Sequence, residues 1–221
     1  MVILHVQLGQ YHEARNLLLS RRFNIYEGGE GKLTRLHGWL YTLLGAQEEN
    51  SDVALKWFDE ALVFPENYGE GRHYSAQEAQ IHYYTGWLLE KLGRLNEAAE
   101  HWKTAANQPD HISEISFFAA KSMDKLGHAE QALSVYESML ASAEGKLANA
   151  DLHGYFGVGM PSPLPFELNI VRQNMIPALL IKALALKGLN RVEESVAATQ
   201  ELLSLDADAT PLAFFRTLGI L

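Results

Sequence analysis

The chain has no cysteine among its 221 residues, so a disulfide framework, a thiolate metal centre and a cysteine nucleophile are all excluded. Positive charge is also scarce. Its 18 basic residues stand against 27 acidic ones, a formal net charge of −9, and a balance of that sign repels phosphate backbones. Nucleic acid is therefore not an expected partner. Long apolar runs are missing as well: the longest, Ile176 to Leu186, is broken by Lys182 and too short to span a bilayer. Met1 to Leu8 lacks the basic start and sustained apolar stretch of a secretory signal. No membrane partner is expected, and the expected compartment is cytoplasmic, with any export signal lying ahead of Met1.

Motifs of catalysis and metal binding are absent too. There is no GxSxG and no HExxH, and no two of the nine histidines stand four residues apart on one helix face. The serine at Ser162 sits between prolines with no histidine placed to activate it. Gly29 to Lys32 reads GxGK, but a phosphate loop would need glycine at Tyr26, Ser or Thr at Leu33, and a preceding strand. That segment reads instead as a turn feeding the next helix, whose free N–H groups offer a place for a carboxylate or phosphate. No enzymatic activity, no metal and no cofactor are expected.

What is present is a period. Displacement by 34 residues carries Gly86 onto Ala120, Gly93 onto Gly127, Ala98 onto Ala132 and Trp102 onto Tyr136, so size-restricted positions recur together. Each unit reads as two amphipathic helices joined at a glycine. Ile81–Pro109 is the clearest unit, followed by Ile112–Ala143. An earlier pair spans Leu33–Pro65, with Gly38 facing a partner helix, Gly45 closing the first helix and Ala54, Phe58 and Ala61 marking the second. Gly9, Tyr11, Ala14 and Leu18 mark a first pair whose first helix lacks its opening turns, as expected of a fragment cut from the C-terminal side of something longer or of a naturally short capping helix. Glu66–Tyr74 reads as a polar connector. The period then fails between Glu144 and Phe166, where glycines and prolines exclude regular structure. A fifth pair follows, with Pro177 expected to kink or restart its first helix and Asn190 at its turn. Thr210 and Pro211 read as N-cap and first residue of a last helix, whose Phe214 and Phe215 close the end of the core.

Gly86, Gly93, Ala98, Trp102, Ala105 and Pro109 together resemble the tetratricopeptide repeat pattern, with departures at Arg21 and Met139 where small residues are usual. The resemblance implies an all-α fold, a right-handed α-α superhelix of about four and a half helix pairs plus a C-terminal capping helix. Residues 1–221 would form a single domain interrupted by the irregular insert at about 144–166. A narrower resemblance rests on YEGGEGK at Tyr26, PENYGEGR at Pro65 and YFGVGMPSPLPFE at Tyr155. These are similar to the C-terminal repeat region of large bacterial proteins that carry an uncharacterised domain ahead of the repeats, which implies an interaction arm.

First helices of stacked pairs line a concave groove. In the register of Gly38, Gly86 and Ala120, groove positions fall on Arg35, Trp39, Tyr83, Trp87, Phe117 and Lys121, an aromatic stripe with a cation at each end. Such a stripe suits a peptide with an acidic side chain or C-terminal carboxylate. The same aromatics also read as core between adjacent helices, as Tyr84 and Phe118 do. Tyr155 and Phe156 of the insert are candidates to fold back over the groove. The expected function is a non-enzymatic protein–protein interaction scaffold, binding a peptide or a neighbouring domain of the same protein. An accessory module of a carbohydrate-active protein is the alternative, its aromatics stacking on sugar with Glu90 and Gln80 nearby.

Overall fold

A computed structural model describes residues 1–24, 29–72, 76–107, 111–151 and 169–221. The insert residues Tyr155 and Phe156 therefore lie outside the described residues. Among the described residues there are eleven α-helices and no strand. They are α1 (Val2–Gln7), α2 (Tyr11–Ser20), α3 (Lys32–Gln47), α4 (Ser51–Glu60), α5 (Ala79–Lys91), α6 (Leu95–Ala106), α7 (Ser116–Lys125), α8 (Ala129–Ala148), α9 (Ile170–Gly188), α10 (Val192–Leu205) and α11 (Thr210–Thr217).

The helices pack in adjacent pairs: α1 with α2, α3 with α4, α5 with α6, α7 with α8, and α9 with α10. Four of the five turns use a left-handed residue, Gly9 at φ +72°, Gly93 at +75°, Gly127 at +81° and Asn190 at +58°. That conformation lets a helix end and the chain reverse within three residues, and it favours glycine or asparagine. The α3–α4 turn is built differently. Gly45 does not close the helix as expected; α3 runs on to Gln47, and Asn50 starts α4 by accepting from the N–H of Asp52 at 3.0 Å and Val53 at 3.2 Å. Gly45 is small for another reason: a Cβ there would stand 2.4 Å from the Phe58 ring. Gly86 beneath Trp102 and Gly188 beneath Tyr136 are restricted in the same way, at 2.5 and 2.3 Å.

Three other boundaries differ from expectation. α8 continues past Glu144 to Ala148, α9 passes through Pro177 as one helix, and α11 begins at Thr210 with Ala209 as its N-cap. The polar connector after Pro65 is also more than a spacer. Glu66–Tyr68 forms a 3-10 turn that buries Tyr68 completely. The Tyr68 hydroxyl donates to His37 Nδ1 at 2.9 Å, while His37 Nε2–H donates to the Glu60 carbonyl at 2.9 Å. Burial holds the His37 pKa below its usual value, against the pull of that carbonyl, so the ring stays in this neutral tautomer.

First helices lie side by side in the order α3, α5, α7, α9, with each second helix also touching the next first helix. The last helix does not continue the row. α11 crosses back onto α3, α9 and α1, putting Leu212, Phe214 and Phe215 at 2%, 4% and 0% exposure. Gln7 Nε2 donates to the Asp208 carbonyl at 2.6 Å and to Thr210 Oγ1 at 3.2 Å, and the Tyr11 and Thr217 hydroxyls are 3.1 Å apart. The chain's first two helices are thus tied to its last. Among the described residues no helix is long and apolar enough to cross a membrane.

Candidate functional site

The six groove positions read from the sequence separate into three environments. Trp39 is not a groove residue; it is 2% exposed and belongs to the core. Phe214 of α11 stacks on its indole at 5.0 Å between centroids and 21° between planes, and Phe118 and Phe215 meet its edges at 5.8 and 5.2 Å. The aromatic surface of α3 is covered by the chain's own last helix. Sequence register placed Trp39 on the correct face but did not say what covers that face.

Arg35, one turn earlier on α3, stays at the surface and pairs with Glu114, whose side chain is nearly buried. The remaining four residues do come together. Tyr83 and Trp87 of α5 and Phe117 and Lys121 of α7 line a cavity of about 410 Å³, completed by Tyr84, Asp124, Tyr136, Lys187, Gly188 and the segment Leu218–Ile220. Phe117 forms its floor at 4% exposure. Tyr136 donates its hydroxyl to Asp124 Oδ2 at 3.2 Å, and burial followed by the Asp124 charge raises its pKa. Burial likewise raises Tyr83, with Glu90 and Asp124 adding to the shift. Both phenols are neutral hydrogen-bonding groups at ordinary pH.

Two cations face this cavity, Lys121 and Lys187, against one carboxylate, Asp124. Neither lysine has an ion pair or hydrogen bond among the described residues. A third lysine, Lys91, sits 3.5 Å from the centre of the Trp87 ring and covers one face of it. Glu90, read from the sequence as a sugar-binding candidate, is instead held by Lys125 at 2.5 Å. Lys187, Tyr136 and Asp124 were missed by sequence reasoning because they come from three different helices, the end of α9, α8 and the end of α7 respectively. Only the 34-residue equivalence of Tyr136 with Trp102 hinted that a large ring would stand there.

The start of α3 resolves the GxGK question. A carboxylate does dock on those N–H groups, and it belongs to the chain: Glu70 accepts from Gly31 N at 2.9 Å and Thr34 N at 3.3 Å. The capacity for an outside anion there is already used. Two histidines distant in sequence also meet, His82 of α5 and His101 of α6, with Nδ1 atoms 3.1 Å apart. One ring donates and the other accepts, which requires at least one to be neutral. Burial, then the neighbouring His101 and Arg72 charges, lowers His82 to about 4. Among the described residues no group of three or more histidine or acidic side chains is arranged to hold a metal ion.

No family model matches the chain, and no solved structure matches it. The class that the coordinates define is an all-helical array of adjacent pairs closed by its last helix.

Proposed function

We propose that the chain is a non-enzymatic interaction scaffold of the tetratricopeptide type, capturing a short peptide in the cavity between α5, α7, α8 and α9. The fold reading is supported by turns in left-handed Gly or Asn, and by Gly45 and Gly86, each of which receives a large ring from the following helix. Adjacent pairing through the whole array supports it as well. The binding reading rests on one observation: an aromatic cavity carries two lysines, Lys121 and Lys187, that the described residues leave without an ion pair, in a chain whose net charge is −9. Cations beside aromatic rings favour a carboxylate, because a hydrogen bond between two ionised groups is stronger than one between neutral groups. The preferred ligand is a peptide with an acidic side chain or free C-terminal carboxylate and an apolar or aromatic neighbour, supplied by a partner protein or by another part of the same protein.

The test is fluorescence anisotropy with labelled hexapeptides carrying a free acidic C-terminus, set against their amidated, uncharged counterparts. Binding should weaken about tenfold or more in Lys121→Glu/Lys187→Glu, and it should weaken with added salt. Equal affinity for free and amidated peptides, together with no response to the double substitution, would rule the site out. Trp39→Ala is unsuitable as a probe here, since that residue supports the core.

A further inference from the structure

Among the described residues α11 belongs to no helix pair. At eight residues, Thr210–Thr217, it is too short to be stable as a helix on its own, so its position is set by what it leans on. Its continuation reaches the aromatic cavity. The Ile220 N–H donates to the Phe215 carbonyl at 2.9 Å and the Gly219 N–H to the Arg216 carbonyl at 3.0 Å, with Gly219 in the left-handed region at φ +67°. These bonds close the end of α11 and make Leu218–Ile220 a continuation of the same rigid piece. That segment is one wall of the cavity. The other walls come from α5, α7, α8 and α9, all of them members of helix pairs.

The side chains of α1, α2 and α3 that hold α11 in place do not line the cavity. Trp39 carries Phe214 and Phe215. Gln7 bonds the Asp208 carbonyl and Thr210 Oγ1, and the Tyr11 hydroxyl meets that of Thr217. Beyond the helix, Leu221 packs on Ala183, Leu186 and Ala198 of α9 and α10. A second connection runs through the core. Phe215 also stacks on Phe118, with centroids 5.6 Å apart and planes at 22°. Phe118 is fully buried, and its ring meets three rings of the cavity: Tyr83 at 5.7 Å, Tyr84 at 5.8 Å and Phe117 at 5.6 Å. A close-packed ring cluster has no slack, so a void opened on one side of Phe118 is felt by the rings on the other.

We propose that the aromatic cavity is formed only while α11 is seated, so that Gln7 and Phe215 are positioning residues for a site that neither of them lines. Two states follow. With α11 seated, the Leu218–Ile220 segment completes the cavity, and Phe118 holds the rings of Tyr83 and Phe117. With α11 lifted, the wall and the ring support are lost together, and the cavity opens into a shallow surface. A ligand that needs the closed cavity favours the seated state, and by linkage whatever seats α11 tightens the ligand. That consequence rests on the capture reading proposed above; the coupling of α11 to the shape of the cavity does not.

The experiment is NMR on the full isotope-labelled chain as wild type, Gln7→Ala and Phe215→Ala. Amide exchange at Phe215 and Arg216, inside α11, reads how often the helix lifts, and ¹³C relaxation dispersion of the Tyr83 and Phe117 rings reads the cavity. Without ligand, Gln7→Ala should speed the α11 amides by about three- to tenfold, the loss of one hydrogen-bonding side chain, and the ring dispersion should grow in step. Phe215→Ala should speed them by about a hundredfold or more and shift the ring signals outright; if that variant does not fold, Gln7→Ala decides alone. Faster α11 amides in Gln7→Ala with ring dispersion at the wild-type level would make Gln7 merely structural and overturn the coupling. With the free-carboxylate hexapeptide at about 100 times its dissociation constant, exchange at Phe215 and Arg216 in the wild type should slow by up to about 100-fold. Unchanged exchange with peptide bound overturns the linkage. Faster exchange means that the tail competes with the peptide, which reverses the sign and overturns it as well. Absence of peptide binding to the wild type refutes the capture reading, and the ring dispersion then decides the coupling by itself.

Discussion

Trp39 and Trp87 occupy the same register position, each one residue after a small residue of a first helix, yet they live in different surroundings. Trp39 is sealed beneath Phe214 and Phe215, whereas Trp87 is half-buried, edges an open cavity and meets a lysine. The periodicity sets which face of a helix a residue occupies. What lies over that face is decided by a segment about 170 positions away, because α11 covers the aromatic face of α3 and leaves the neighbouring surface of α5 and α7 open. Part of the face that the first helices share is therefore structural and part of it is available.

The largest test of that contrast is truncation of the seal. Phe215→Ala and Trp39→Ala should each lower the unfolding free energy by about 3–5 kcal/mol, since a large ring is removed from a filled core. Trp87→Ala should cost only about 1–2 kcal/mol; urea denaturation of the three variants measures the difference, and equal losses would break the comparison. Gly86→Ala comes next. Its methyl would collide with Trp102, an overpacking cost of about 1–3 kcal/mol. Gly38→Ala has room and gains helix propensity, about 1 kcal/mol in the stabilising direction.

Acid should loosen both α3 and α5. His37 of α3 and His82 of α5 are held below the ordinary histidine value of 6.5 by burial, His82 at about 4. The unfolded chain then binds more protons than the folded one. Stability is fully present above pH 6.5 and declines as pH falls towards about 4. Urea midpoints measured across that range should fall, and His82→Phe should flatten part of the slope. The smallest effect is expected at the tie between the chain's ends. Gln7→Ala removes the donor to Asp208 and Thr210 and should cost about 0.5–1.5 kcal/mol, read as a small drop in melting temperature.

Much of the fold was legible because its signals are local. A left-handed turn excludes most side chains, so Gly93, Gly127 and Asn190 could be placed from the sequence. Gly45 was misread because small size serves two purposes; a glycine under a ring and a glycine ending a helix look alike in one dimension. The connector after Pro65 looked polar by composition, but one residue, Tyr68, carries its burial and another, Glu70, its capping role. The candidate site was half legible. Tyr83, Trp87, Phe117 and Lys121 share helix faces fixed by the repeat, whereas Lys187 and the Leu218–Ile220 wall arrive by a long-range return.

The hydrogen bonds that join α1 and α2 to α11 bear on how the array loosens. An open stack of helix pairs is weakest at its ends, where each terminal unit leans on a single neighbour, and it frays from there inward. Here the two outermost units lean on each other as well. The chain behaves less like a ladder with free ends than like a bracelet with a clasp. Amide exchange should then be nearly as slow in α2 and α11 as in α5, and should accelerate at both ends together once the clasp opens.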